Sequence, residues 1–426
     1  MRTFYQLFCL LLPLFGSAQI TVTSTNDSGP GSLRQAIISA NADPGLDNIF
    51  FNINGGGAQT IFVFTALPSI TDDGIVIDAT TQPGYSNTPL ITLNGNGGSG
   101  SGFVVFANNC SFSGLKIRNF ESHGLIAVNC EGASIFDNIF TENQTFNLVL
   151  SNADNCLVEG NLFNIDEAGT PSSIGRTAIF IQDGAASNNI TGNTIGAGLN
   201  NTSNDIIVLL QPGSDANSFT NNFIGTNANG DNLGSPFRSG IYLSEGSRND
   251  VIGNTIAFNG RGIWNSVNAS ENFFSDNDFF CNQEAAILND QGGNNNIQPP
   301  SIIEATTDEV TGTSLPNHRI QIHLQDNSAC LGAACQGYYY AEVTADASGF
   351  WSFDPTGLPV GSVLTAIQID PTFISHTSAF SGCATVALPC DTEGPVFSGI
   401  PMDVTIGCDD PYPDTDALFA NITAFD

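Results

Sequence analysis

The side chains of this sequence that could do chemistry are five arginines, a few paired aspartates, four histidines and two aligned cysteines. Abstracting a proton beside a uronate carboxylate needs a basic side chain in a groove, and cations such as calcium that carboxylates hold against the substrate. Arg118, Arg176, Arg238, Arg248 and Arg261 are candidates for that base, but each stands isolated and reads more simply as a solvated surface arginine. Hydrolysing a glycosidic bond needs two carboxyl groups flanking it. The acidic pairs are Asp72 with Asp73, ahead of Gly74, and Asp276 with Asp278, either side of Asn277, and both read as turn residues. Asp137 shares a column with Asp276 but lies five repeats away, too far to cooperate. His123, His318, His323 and His376 are scattered, and neither His318 nor His323 has a cysteine or carboxylate at zinc-ligand spacing. No phosphate-binding loop, dinucleotide fingerprint or nucleophile elbow occurs. No catalytic, cofactor-binding or metal residue is therefore assigned. No cofactor is expected, calcium being the ion that the carboxylates would admit.

Behind these residues lies a repeat that must position whatever acts. One apolar column reads Phe112, Ile135, Val158, Ile190, Phe219, Val251, Phe274, and a second, five residues on, reads Ile117, Phe140, Phe163, Ile195, Ile224, Ile256, Phe279. Between them runs Leu115, Asn138, Asn161, Asn193, Asn222, Asn254, Asn277. Each unit adds a third apolar run, among them Leu148–Leu150, Ile179–Ile181, Ile241–Leu243 and Ile263-Trp264. Short apolar runs separated by Gly, Asn, Asp and Ser predict three strands per turn of a parallel β solenoid, in which like residues stack into ladders. Asparagine suits the corner because it tolerates the left-handed conformation and its amide can bond the next amide in the stack. A further column reads Cys110, Ala133, Cys156, Asn188, Asn217, Asn249, Asn272. Cys110 and Cys156 are two coils apart there, roughly 10 Å at the strand spacing, too far for a disulfide, and read as buried thiols.

Composition narrows the partners. The 41 acidic residues against 9 basic ones leave a formal charge of −32, a field that repels nucleic acid and anionic lipid. Neutral glycans and multivalent cations remain compatible with it. Residues 1–18 read as a signal peptide: Arg2, an apolar run to Phe15, then Gly16-Ser17-Ala18, with cleavage expected after Ala18. No later stretch is long and apolar enough to span a bilayer. Nine cysteines then remain, an odd number, so one stays unpaired or the chain is a fragment.

The opening Ile20-Thr-Val-Thr-Ser-Thr-Asn-Asp-Ser-Gly29-Pro-Gly-Ser-Leu-Arg34-Gln-Ala-Ile, with Ile77–Tyr85, Leu93-Asn-Gly and Asn222-Phe-Ile-Gly-Thr226, resembles bacterial secreted and cell-surface proteins with right-handed parallel β-helix repeats of the pectin-lyase-like fold. The resemblance spans residues 20–298 and implies an architecture rather than an activity. Ser32 is expected to cap a helix near 32–41 that closes the open end of the solenoid. Residues 299–388 alternate like a small antiparallel sandwich, similar to the immunoglobulin-like modules that follow such solenoids. Residues 389–426 resemble the start of a truncated extracellular repeat. The chain is thus expected to be all-β: signal peptide 1–18, β-helix 19–298, sandwich 299–388, partial module 389–426. The function expected is a non-enzymatic structural or adhesive protein, secreted or on the cell surface, that meets extracellular glycans or other surface proteins. The alternative is a polysaccharide lyase or glycoside hydrolase. Insertions at Asp166–Thr177, Ala197–Asn204 and Thr226–Ser239 mark the side where a ligand could sit, with Phe237 the main aromatic among them.

Overall fold

A computed structural model describes residues 18–174, 177–198, 208–290, 292–325, 335–372 and 376–389, and the strands 396–398 and 423–425. The expected signal peptide and most of the partial module lie outside these residues. The chain winds into a right-handed parallel β-helix whose described strands form a first sheet of ten, a second of nine and a third of eight. The first runs from Ala18–Val22 to Phe273–Ser275, the second from Gln59–Phe62 to Asp278–Phe280, the third from Phe103–Val105 to Ala285–Asn289.

The repeat read from the sequence is the register found. Phe112 pairs with Ile135 and on through Val158, Ile190, Phe219 and Val251 to Phe274 in the first sheet. Ile117 pairs through Phe140, Phe163, Ile195, Ile224 and Ile256 to Phe279 in the second. All are buried, because strands alternate faces and these positions face the axis. A continuous apolar column along the axis is the hydrophobic core.

The asparagine column needs one correction. Its amides stack as expected, Nδ2 of Asn193 donating to Oδ1 of Asn222 at 3.0 Å and Nδ2 of Asn222 to Oδ1 of Asn254 at 2.9 Å. The left-handed residue, however, is the one before it: Gly114, Asp137, Gly160, Gly192, Asn221, Gly253 and Asp276 have φ between 54° and 67°. The corner is divided between two positions. One takes the unusual backbone turn, for which Gly, Asn and Asp are suited. The next turns its amide inward and saturates the backbone of its own and the neighbouring coil. Asn188, Asn217, Asn249 and Asn272 form a second such ladder. Each follows a residue of positive φ, here Ser187, Ala216, Arg248 and Glu271.

Both ends are closed. Ser32 caps the helix Leu33–Ala40, its hydroxyl accepting from the Gln35 N–H, and Leu33, Ala36, Ile37 and Ala40 face the first coil. Close by, Asp47 is 2% exposed and its Oδ2 has no protein partner. Burial first, then the charges of Asp43 and Asp72, raise its pKa. A carboxyl raised in the fold destabilises it when ionised, so this cost is absent below the unfolded value and grows as pH rises through the folded one. Asp47→Asn is therefore expected to raise the thermal midpoint at pH 7 and to change it little below about pH 3.5, where aspartate is protonated in both states. Melting curves at the two pH values check this. An equal shift at both would mean that charge is not the cause.

At the other end, strands from Ser301 to Thr385 form antiparallel sheets of three and four around Trp351. They continue the ladders. Oε1 of Gln336 accepts from the N–H and Nδ2 of Asn282 at 3.1 and 3.0 Å, Oε1 of Gln321 accepts from the Asp276 N–H, and Oγ1 of Thr377 accepts from the Phe274 N–H. Phe380 packs edge-on against Phe279, and Ile367 and Ile369 join the solenoid core. Cys335 and Cys383 form a disulfide, whereas Cys110, Cys130 and Cys156 are free and buried.

Candidate functional site

Topology places the three insertions together. Each leaves a second-sheet strand and returns into the third-sheet strand of the same coil: after Phe163 and before Thr177, after Ile195 and before Val208, after Ile224 and before Ser239. They therefore rise along one long edge of the third sheet. The middle insertion lies largely outside the described residues. Successive insertions are bonded together, the Ala197 N–H donating to the Leu233 carbonyl at 2.8 Å and Nη1 of Arg238 donating to the Ala197 carbonyl at 2.7 Å. Arg238 is 1% exposed, which corrects its reading as a surface arginine. Its guanidinium satisfies the Ala197 carbonyl, which would otherwise be orphaned.

The outer face of the third sheet beside that wall is apolar and aromatic. Register stacks Val104, Ile126, Val149 and Phe180 in consecutive coils and, further along the same sheet, Tyr242, Trp264 and Leu288. These are the middle residues of the apolar runs, and strand alternation points them away from the core. Phe146 adds a ring to the face, 4.5 Å from Phe180 and 5.4 Å from His123, which stacks on it at an interplanar angle of 4°. Tyr242 stacks on Trp264 at 4.3 Å, and the Arg261 guanidinium sits 4.5 Å over the indole while pairing with Glu284 at 2.5 Å. Burial lowers the pKa of His123, so it is neutral at pH 7. The face thus offers aromatic rings along the axis, with the Arg261–Glu284 ion pair set over the Trp264 indole. Phe237, the aromatic expected to matter, is 64% exposed on its insertion, but it is not among the stacked rings.

The residues singled out for chemistry are not brought together. Arg118 pairs with Glu142, Arg248 pairs with Asp215 at 3.0 Å, and Arg261 is held as above. Arg176 lies outside the described residues. Asp73 accepts from Asn108 and Asp72 from the Gly45 N–H. Asp276 and Asp137 are the left-handed residues of their corners, and Asp278 begins a strand and accepts from the Tyr339 N–H at 2.9 Å. Among the described residues no three His, Cys, Asp or Glu side chains are grouped to hold a metal ion.

The sequence profile of the family described as "Periplasmic copper-binding protein (NosD)" matches residues 59–309. No curated protein matches the chain. Among solved structures it is similar to a double mutant of the periplasmic alginate epimerase AlgG, at 14% identity over 55% of this chain and 60% of that one, TM-score 0.32. The chain thus spans three fifths of that epimerase. It is similar to pectate lyase Pel9A, at 15% identity over 66% and 80%, TM-score 0.35. It is also similar to ORF18 of Geobacillus virus E2, at 13% identity over 86% and 76%, TM-score 0.42.

Proposed function

The chain belongs to the NosD family of parallel β-helix proteins, and from that premise we propose that it is an exported, non-enzymatic adhesive protein whose third-sheet face holds neutral glycan chains. The observation that carries this is the two ring pairs, Phe146 with Phe180 and Tyr242 with Trp264, beside the wall of insertions. Pyranose rings present C–H faces to aromatic faces, and the electron-rich ring surface attracts them as it attracts cations. Strands advance by about 4.8 Å per coil, so successive coils offer successive rungs to an extended chain. The charge of −32 disfavours uronate polymers and leaves neutral ones. Export is supported by the apolar leader and by the family's description as periplasmic.

Copper does not fit the donors described. Soft thiolates hold copper; burial pushes the Cys110 thiol up to about 11, and the hydrogen bond between Cys130 and Cys156 raises Cys156 while lowering Cys130. With no three ligands grouped among the described residues, no role is assigned to the metal here. Catalysis is disfavoured because the described arginines are paired or buried and the aspartates hold corners.

The reading is tested by affinity electrophoresis through gels containing cellulose derivatives, xyloglucan or galactomannan. At least one neutral polymer is expected to retard the protein, and Trp264→Ala to weaken retention about tenfold or more. Retention by none, or retention indifferent to Trp264, would refute the assignment of this face.

A further inference from the structure

Beyond the ring-lined face, the structure assigns a second ligand site to the seam between the last coil and the antiparallel sheets, shaped and lined for a small neutral polyhydroxylated molecule, a sugar of one or two rings. A cleft of about 520 Å³ opens there, between the segment leaving the solenoid, from Asn294 to Ser301, and Leu315, His318, Gln368, Asp370 and His376. That volume lies within the roughly 300–1,000 Å³ of small-molecule pockets.

The lining carries polar groups that hydroxyls can meet. Asn294, Asn295 and Gln368 are engaged within the protein, whereas among the described residues Nδ2 of Asn296 and Oε1 of Gln298, at exposed positions on the cleft, have no protein partner. His318, 8% exposed, also lines it, and its Nδ1 has no partner. Burial lowers the pKa of His318, so at pH 7 its ring is neutral and adds no positive charge to the cleft. His376 is fixed differently. Its Nδ1 accepts from the Glu271 N–H at 3.0 Å, and its Nε2 lies 2.9 Å from Nδ2 of Asn295.

The remaining lining sets the class. Leu315, 47% exposed, with Ile297 and Pro299, gives an apolar floor for the C–H face of a ring. Among the described lining residues there is no arginine or lysine to pair with a carboxylate, and Asp370 repels one. The carboxyl of Asp370 is suited instead to accept from hydroxyls.

The test is isothermal titration calorimetry of the full chain with cellobiose, lactose and diacetylchitobiose, with digalacturonate as anionic probe and putrescine as cationic probe. At least one neutral disaccharide should bind saturably. Gln298→Ala and Leu315→Asp, both at exposed positions and each checked for an unchanged melting midpoint, should weaken that binding about tenfold or more. Trp264→Ala should leave it unchanged, which separates this site from the ring-lined face. The proposal is overturned if no neutral disaccharide saturates at millimolar concentration, or if digalacturonate or putrescine binds in preference. It is equally overturned if Trp264→Ala abolishes binding that the two cleft substitutions leave intact.

Discussion

Replacing Asn222 by leucine should cost about 2–5 kcal/mol of stability although the volume hardly changes, because two coils lose backbone partners at once. Asn222 is 1% exposed, and its Oδ1 accepts from the Asn193 N–H at 2.9 Å and from the Asn193 amide at 3.0 Å. Its Nδ2 donates to the Ile190 carbonyl at 2.9 Å and to Asn254 at 2.9 Å. Leucine leaves buried groups in both neighbouring coils unpaired, and in a chain of linked amides the loss spreads beyond the pair. Two neighbours serve as controls. Asn221→Gly should be tolerated, since Asn221 carries the left-handed turn at φ 54° and glycine adopts it without strain. Asn229→Leu, in an exposed stretch of an insertion, should fall within about 0.5 kcal/mol. Urea melts of the three variants decide the matter, and equal losses would mean that the ladder carries no stability of its own.

Cutting the chain after residue 298 should produce the second large effect, a solenoid that melts lower and associates through its exposed end. The last coil depends on residues beyond the cut: Gln336 serves the Asn282 N–H, Gln321 serves that of Asp276, and Thr377 both accepts from and donates to the Phe274 backbone. Phe380 covers Phe279, and Ile367 and Ile369 complete the core. Without them the final strands present open edges and apolar side chains, a template for pairing with a second copy. Light scattering and thermal melting of residues 19–298 beside the longer chain would show it. A monomer with an unchanged midpoint would mean that the antiparallel sheets are an appendage and not a cap.

Stacking made the core legible before the structure. Phe112 to Phe274 recur because each coil repeats the same environment, so sequence column and structural register coincide. The corner was half legible. The asparagines announced a turn, but the left-handed turn itself sits on the preceding Gly, Asp or Asn, whose mixed identities hide a shared φ. In the other ladder Ser187, Ala216, Arg248 and Glu271 hold the same conformation, and residue type gave no sign of it. The outward rings were in view as Phe180, Tyr242 and Trp264 yet passed for core, since a three-residue apolar run hides which residue faces out until alternation is applied to its centre. The cleft was out of reach. His318, Asp370 and His376 meet only because the antiparallel sheets fold back over the last coil, a juxtaposition that no local spacing records.

The central claim is that the third-sheet face holds a neutral glycan without cleaving it. The direct measurement incubates the purified chain with neutral polymers, and with pectin, polygalacturonate and alginate with and without calcium, recording bound protein and newly formed reducing or unsaturated ends together. The account predicts retention on a neutral polymer that falls in Trp264→Ala, and no new ends on any polymer. New ends whose release is abolished by substituting one arginine or aspartate beside the third sheet would contradict it.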